Sequence, residues 1–291
     1  MRISRRTFLI SSLTGLASIP GYSRFLEPGW LEVTEKRVPI PGGSLARSVR
    51  LLHLSDLHFS GSVPLEQIER AIELGLARRP EIACLTGDYT TRTVPDPAAY
   101  ARALRRLGEA VPTLACFGNH DGGRWSARHG GYRDHSVLRG VLEEAGIECL
   151  HNASRLVKLP GQELLVAGVG DLLSREVDPE AALREAPAGQ PTIVLAHNPD
   201  TRFPLAPYVW DLMLSGHTHG GQIVIPVVGY VPFQAVRDRR FLEGLQPWEG
   251  RLVHITRGVG NLLGIRLNCR PEVSLLDLVP AAEPQGAPPA A

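Results

Sequence analysis

The four cysteines, Cys84, Cys116, Cys149 and Cys269, form no Cys-x-x-Cys pair, which argues against a thiolate zinc site or a redox dithiol. Cys84 and Cys116 lie in short apolar runs and read as small buried core residues. Lysine is nearly missing. Lys36 and Lys158 are the only two, so the positive charge is arginine by compositional bias. An arginine beside a motif is therefore weak evidence of phosphate binding. Charge of either sign is not in excess: the formal net charge is +1. No basic field points to nucleic acid, and no nucleic-acid partner is indicated. No internal repeat is visible. What is present is ordinary for a soluble globular protein: 43% hydrophobic and 21% charged residues over 291 positions. That length holds one large domain with a real core, or two small ones.

The first residues read as a targeting segment. Ser4-Arg5-Arg6-Thr7-Phe8-Leu9-Ile10 resembles the twin-arginine export motif, and Thr7 to Ser23 carries no charge. This stretch is shorter than the ~20 mostly apolar residues of a spanning helix and contains Pro20, so it reads as a signal h-region. Gly15-Leu16-Ala17 is a poor cleavage site, so an uncleaved leader would remain as a membrane tether. The expected divisions are 1–23 for the signal or tether, 24–280 for one catalytic-type domain, and 281–291 for a Pro/Ala-rich disordered tail. Export by the twin-arginine translocase would place the protein in the periplasm or on the outer face of the cytoplasmic membrane. Cargo of that route folds, and can load metals, before export. Such cargo needs no disulfides to fold, in keeping with the sparse cysteines.

Trp30 to Val38 and Val49 to Leu54 read as strands, the second ending at Ser55-Asp56-Leu57-His58. Leu65 to Ala77 has apolar residues at helical spacing. Ile82 to Leu85 is a short buried strand ending at Thr86-Gly87-Asp88. Pro97 to Leu107 reads as a helix, and Val111 to Phe117 as a strand ending at Gly118-Asn119-His120-Asp121. Strand, polar cluster and helix thus alternate, as in βαβ units with a largely parallel sheet. Gly122 to Arg133 reads as a polar loop and His135 to Ala145 as a helix. Strands follow at Glu148–Leu150, Arg155–Leu159, Glu163–Gly168, Thr192–Ala196, Asp211–Leu214, Ile223–Val228, Leu252–Thr256 and Val273–Leu278. This strand-rich half predicts a second sheet packed on the first. Ligands of such sheets bind beyond the carboxyl ends of the strands, where the polar clusters fall.

Five clusters stand at five expected strand ends: Asp56-x-His58, Gly87-Asp88, Gly118-Asn119-His120-Asp121, His197, and Gly216-His217-Thr218-His219. Singly each is weak; a lone Gly-Asp is usually a turn. Together and in this order they resemble the calcineurin-like metallophosphoesterase superfamily, whose blocks run D-x-H, G-D, G-N-H-[DE], H and G-H-x-H. The resemblance spans about residues 48 to 279. It implies a four-layer α/β/β/α sandwich of two mixed sheets, with a dinuclear metal site at strand C-terminal ends. It also implies a first metal on Asp56, His58 and His219, a second on Asn119, His197 and His217, and Asp88 bridging both. The implied reaction is phosphoester hydrolysis by a hydroxide held between two divalent ions. His120 would stabilise phosphoryl oxygens and protonate the leaving group, and Asp121 would orient its ring. The donor chemistry agrees on its own terms, because oxygen and imidazole ligands without thiolate suit manganese, iron or zinc.

Gly220-Gly221-Gln222-Ile223, Arg257-Gly258-Val259-Gly260, Arg266, Asn268 and Arg270-Pro271-Glu272 resemble the membrane-associated, twin-arginine-exported branch of the superfamily. That implies a diester, monoester or pyrophosphate substrate, lipid-linked in some relatives. Arg124, Trp125, Tyr132, Tyr230, Phe233 and Arg257 are candidate substrate contacts. His53, His129, His135, His151 and His254 match no motif and read as structural or surface residues. Two alternatives fit the same motifs: an exported nucleotidase or cyclic-nucleotide phosphodiesterase, and a metal-binding envelope protein without catalysis. The first would be supported by an added nucleoside-binding domain, which is not visible. The second gives no reason to keep His120 and Asp121.

Overall fold

The computed structural model describes residues 19–40, 45–184, 186–187, 189–225, 228–229 and 236–281. In chain order its elements are β1 (Glu32–Ile40), β2 (Val49–Leu54), α1 (Leu65–Leu76), β3 (Ile82–Thr86), α2 (Pro97–Gly108), β4 (Thr113–Cys116), α3 (Gly123–Arg128), α4 (Ser136–Glu144), β5 (Glu148–Cys149), β6 (Ala153–Leu159), β7 (Gln162–Gly168), α5 (Pro179–Leu183), β8 (Thr192–Leu195), β9 (Leu212–Ser215), β10 (Gly244–Trp248), β11 (Arg251–Ile255) and β12 (Glu272–Pro280). They build two six-stranded sheets, ordered β1-β12-β2-β3-β4-β5 and β10-β11-β9-β8-β7-β6. Both are mixed. In the first, β2 to β5 run parallel and β12 is antiparallel to β2. In the second, β7, β8, β9 and β11 run parallel, with antiparallel partners at both edges.

Alternation along the strands makes the layers, because successive side chains leave opposite faces. Val49, Leu51, Ile82, Cys84, Leu114 and Cys116 face the gap between the sheets and meet Leu164, Val166, Ile193, Leu195, Leu212 and Leu214. The intervening Leu52, Leu54, Ala83, Leu85 and Ala115 face the other way, into a core shared with α1, α2 and α4. Helix α1 buries Ile68, Ala71, Ile72 and Gly75, the spacing of one helical face. A Cβ on Gly75 would sit 2.6 Å from a Leu52 methyl, so the glycine sets how closely α1 lies on β2. Helix α2 starts where Asp96 accepts a hydrogen bond from the Ala99 amide and Pro97 occupies the first turn, the favoured chemistry for a helix start. The outer face of the second sheet is covered more thinly, by α5 and by loops that supply Leu205, Trp210 and Phe241.

The expected α/β architecture of two mixed sheets with helices is therefore present. Two local expectations are corrected, and one strand is new. Ile223–Val228 is not a strand among its described residues; Ile223 makes one isolated bridge with Leu267. The Gly122–Arg133 loop contains the short helix α3. The edge strand β10 had no counterpart in the sequence reading. All four cysteines are free. Among the described residues no helix is long and apolar enough to cross a membrane. The proposed leader and tail fall largely outside the described residues.

Candidate metal centre

The chain leaves β2, β3, β4, β8 and β9 at their carboxyl ends, and each exit delivers proposed ligands two to four residues on. The loops from the two sheets meet there. The Asp56 amide donates to the Gly87 carbonyl at 2.9 Å, and the His58 amide to the Asp88 carbonyl at 2.9 Å. From the other sheet, the His217 amide donates to the Asp56 carboxylate at 3.1 Å. The glycines before the ligands act in two ways. Gly87 has a positive φ of 83°, which a residue without Cβ adopts freely. Gly216 is needed for closeness instead: a Cβ there would lie 2.0 Å from Ser55 Oγ and 2.1 Å from Asp56 Oδ2.

Five of the proposed ligands are themselves left-handed: Asp56, His58, Asp88, His217 and His219 have φ between 47° and 70°. Such conformations cost roughly 1–2 kcal/mol each for a residue with a Cβ. Their gathering in one place is the pattern expected where a site over-determines the backbone.

Two ligand sets result. Asp56, His58 and His219 bring one donor atom each to within 4.8 Å of one another, and so do Asp88, His197 and His217. His58 Nε2 and His219 Nε2 are 3.2 Å apart, and His219 Nε2 lies 3.3 Å from Asp56 Oδ1. The sets touch at one carboxylate oxygen. Asp88 Oδ2 lies 3.1 Å from His197 Nε2 and 3.6 Å from His58 Nε2. Asn119 is buried beside them, and its Oδ1 has no hydrogen-bond partner. A buried polar atom without a partner is costly, and this one is an atom that a metal ion would engage.

The electrostatics point the same way. Burial drives the pKa of His58 and His217 down to about 3 and that of His219 well below its usual value. These rings are neutral at pH 7, with lone pairs available. Asp56 is pushed up to about 6 by burial and by the charge of Asp88, against the pull of His197. Burial also works to lower His197, but contact with Asp88 and the nearby Asp56 lift it to about 10. The His197 Nδ1–H donates to the Thr86 carbonyl at 2.6 Å, which fixes the tautomer and leaves Nε2 facing the site, the usual outer support of a metal-binding histidine. The oxygen and nitrogen donors thus fit divalent cations.

His120 and Asp121 take unequal places. The His120 ring nitrogen Nδ1 pairs with the Thr91 carbonyl at 2.6 Å, and Nε2 faces Asp88 Oδ2 at 4.0 Å. Asp121 makes no hydrogen bond to that ring. Its carboxylate accepts the amides of Asp88, Tyr89 and Gly118, each at 2.7 Å. The expectation that Asp121 orients His120 is therefore corrected: three unpaired amides at the tight turn outcompete a ring already held by Thr91. Trp125 packs 4.6 Å from the His120 ring and stacks on His129. Arg124 is exposed. The Tyr132 hydroxyl is used in accepting the Val94 amide. Arg257 is no free cation, since it pairs with Glu32 at 2.7 Å and Glu272 at 3.2 Å. Tyr230 and Phe233 lie outside the described residues.

A supporting residue went unassigned in the sequence reading. Arg266 is wholly buried and donates to the carbonyls of Arg257, Gly260 and Cys269 at 2.6–3.1 Å. It also reaches the His219 carbonyl at 3.4 Å. It ties the loop after β11 to the turn that carries His219. Only its place in a glycine-rich, branch-type motif hinted at importance.

Two sheets with helices, and two candidate metal-ligand clusters at the strand ends, match a metallophosphoesterase. The chain belongs to the calcineurin-like phosphoesterase family, whose model matches residues 49–221, and it is a hydrolase of phosphoester bonds. Among its relatives is the phosphodiesterase YaeI of Escherichia coli (strain K12), 40% identical over 280 residues, covering 95% of this chain and 100% of the relative. The uncharacterized metallophosphoesterase YkuE of Bacillus subtilis (strain 168) is 29% identical, covering 95% and 98%. The UDP-2,3-diacylglucosamine pyrophosphatase LpxG of Chlamydia trachomatis serovar D is 26% identical, covering 92% and 96%.

Proposed function

We propose that this chain is an exported phosphodiesterase or pyrophosphatase acting at a membrane surface on a lipid-linked substrate. The observation that carries the hydrolytic reading is the Asp88 carboxylate, one oxygen of which stands between His58 and His197 where the two ligand sets meet. Asp56, His58 and His219 would hold one ion, and Asn119, His197 and His217 the other, with Asp88 shared and manganese, iron or zinc as the metal. Bound there, the pair supplies Lewis-acid polarisation of the phosphoryl group and a water made acidic near neutral pH.

The chain's own residues position and protonate. His120 donates from Nδ1 to the Thr91 carbonyl, which turns Nε2 toward the site; with a second proton on Nε2 the ring would bind a phosphoryl oxygen through Nε2–H and pass that proton to the leaving oxygen. Its side chain is 13% exposed, and Trp125 covers one side of the ring against water. Asp121 holds the turn that carries Asp88.

The lipid-linked and membrane-facing parts rest on other features. Phe25, Leu26, Trp30 and Leu263 are 54–79% exposed. They belong to two segments that pack together beside the His219 turn: Arg24 donates to the Gly264 carbonyl, the Arg266 amide to the Ser23 carbonyl, and Glu27 accepts the amides of Asn268 and Cys269. Exposed apolar side chains that follow an apolar leader in sequence suit a lipid surface. The similarity to proteins named for cleaving UDP-2,3-diacylglucosamine makes a lipid pyrophosphate the first substrate to try. The test is turnover by the metal-reconstituted chain of a soluble diester, a monoester, a nucleotide and UDP-2,3-diacylglucosamine in mixed micelles. The lipid pyrophosphate should give the highest kcat/KM. Preference for the nucleotide or monoester would sink the substrate reading, and undiminished turnover by Asp88→Ala would sink the site.

A further inference from the structure

We propose that His135, His151 and Glu176 form a third metal site, separate from the dinuclear centre, that takes a single borderline divalent cation such as zinc. The three residues come from three different stretches of chain. His135 immediately precedes α4, His151 follows β5, and Glu176 lies in the loop after β7. No motif of the phosphoesterase centre uses any of them.

Their donor atoms lie within 4.8 Å of one another. Glu176 Oε2 is 2.9 Å from His135 Nε2 and 3.9 Å from His151 Nε2. Zinc bonds to nitrogen and oxygen of about 2.1 Å place tetrahedral ligands roughly 3.4 Å apart. The observed pair straddles that separation, so shifts of about half an ångström in the side chains would close the site.

The surroundings hold the set in place. Phe117 stacks face to face on the His135 ring, with centroids 4.2 Å apart and planes 9° from parallel. Asn152, next to His151, donates to the Glu176 carbonyl at 2.7 Å and accepts the amides of Gly170 and Asp178. One residue therefore fixes the loop of Glu176 against the turn of His151. Gly123 leaves room for the carboxylate: a Cβ there would stand 2.3 Å from Glu176 Oε1. Burial, the neighbouring His135 and Arg139 lower the pKa of His151 against the pull of Glu176, which keeps its lone pair available.

Two imidazoles and one carboxylate, with side chains 13–25% exposed, leave further coordination positions open to water. That is a donor set zinc takes when it keeps an open position, and one that also suits ferrous iron. The competing account is a plain His135–Glu176 ion pair, which binds no metal. Occupied, the site would tie the stretch between β4 and α4, which includes His120 and the Trp125 of α3, to the loop after β7.

The test uses the full chain, zinc ion as the probe, and two substitutions that leave the dinuclear ligands intact, His151→Ala and Glu176→Gln. After equilibration with zinc and removal of the excess, elemental analysis should find one more zinc per chain in the wild type than in either variant. Crystals of the zinc-loaded wild type should show an anomalous scattering peak between the three side chains. In chelator, each variant should unfold near the wild-type temperature, and added zinc should raise the wild type further than the variant. Should His151→Ala fail to fold, the count for Glu176→Gln decides. Equal zinc content in wild type and Glu176→Gln, or no anomalous peak at the three side chains, overturns the proposal.

Discussion

The carboxylate of Asp121 accepts a hydrogen bond from the amide of Asp88 at 2.7 Å. The same group also takes the amides of Tyr89 and Gly118. Asp121 therefore holds the turn on which the shared ligand is presented. Removing it leaves three buried donors unpaired, at roughly 1–3 kcal/mol each. Asp121→Ala should lower both the thermal midpoint and the bound metal. Asp121→Asn, which keeps one acceptor but turns an NH2 toward the amides, should fall between. If either variant keeps full metal content and stability and loses only kcat, the bracing role is wrong.

His120 should behave in the opposite way. It is anchored by Thr91, and its Nε2 points into the site without belonging to either ligand set. His120→Ala should reduce kcat by about 10²–10⁴-fold, the usual worth of a positioned proton-transfer group. Metal content, from elemental analysis, and the unfolding midpoint should stay at wild-type values. Loss of metal from this variant would move His120 among the ligands.

The positions of these residues were legible in the sequence because their chemistry is narrow. Asp, His and Asn behind short buried runs such as Ile82–Thr86 and Thr192–Leu195 have few reasons to recur at successive strand ends. Partners across space were not legible. Asp121 beside His120 suggested a contact that the fold gives to three amides. Arg257 is a candidate substrate contact in the sequence, but Glu32 and Glu272, distant along the chain, take its guanidinium. Ile223–Val228 has strand-like residues, but among its described residues only Ile223 makes a bridge, to Leu267. The edge strand β10 carries Pro247, which on sequence grounds argues against a strand and is tolerated only where a sheet ends.

Arg266 offers a test of how much support the His219 turn needs. Its guanidinium is wholly buried with carbonyls as its partners, and burial lowers its pKa from the ordinary arginine value. Lysine has neither the planar fork nor its five donors. Arg266→Lys should cost several hydrogen bonds to a charged donor, roughly 1.5–3 kcal/mol apiece, and weaken metal retention at the set containing His219. Chemical denaturation and a chelator-competition titration measure the two effects. A midpoint and affinity matching the wild type would show that the carbonyls find other donors.

The pH dependence of stability should carry the mark of a buried histidine pair. His53 and His254 lie between the sheets, with their Nδ1 atoms 3.0 Å apart and His53 Nε2 2.9 Å from Thr86 Oγ1. Burial lowers both, His254 to about 4 and His53 well below its usual value. Besides each other, the charged groups acting on them are Glu272, which raises His254, and Lys36, which lowers it. The unfolded chain binds these protons below a pH of about 6.5, whereas the folded chain keeps the rings neutral. Stability must then fall as pH drops from about 6.5 toward 4, by ~1.4 kcal/mol per pH unit for each ring. Below the folded pKa of His254, that ring adds nothing more. His254→Gln removes one of the two protons, so its slope in this window should be shallower by ~1.4 kcal/mol per pH unit. Denaturant unfolding of both proteins in chelator, from pH 7 to pH 4.5, reads the difference without metal loss entering. Parallel slopes would mean that His254 is already protonated in the fold, with Glu272 rather than burial controlling its charge.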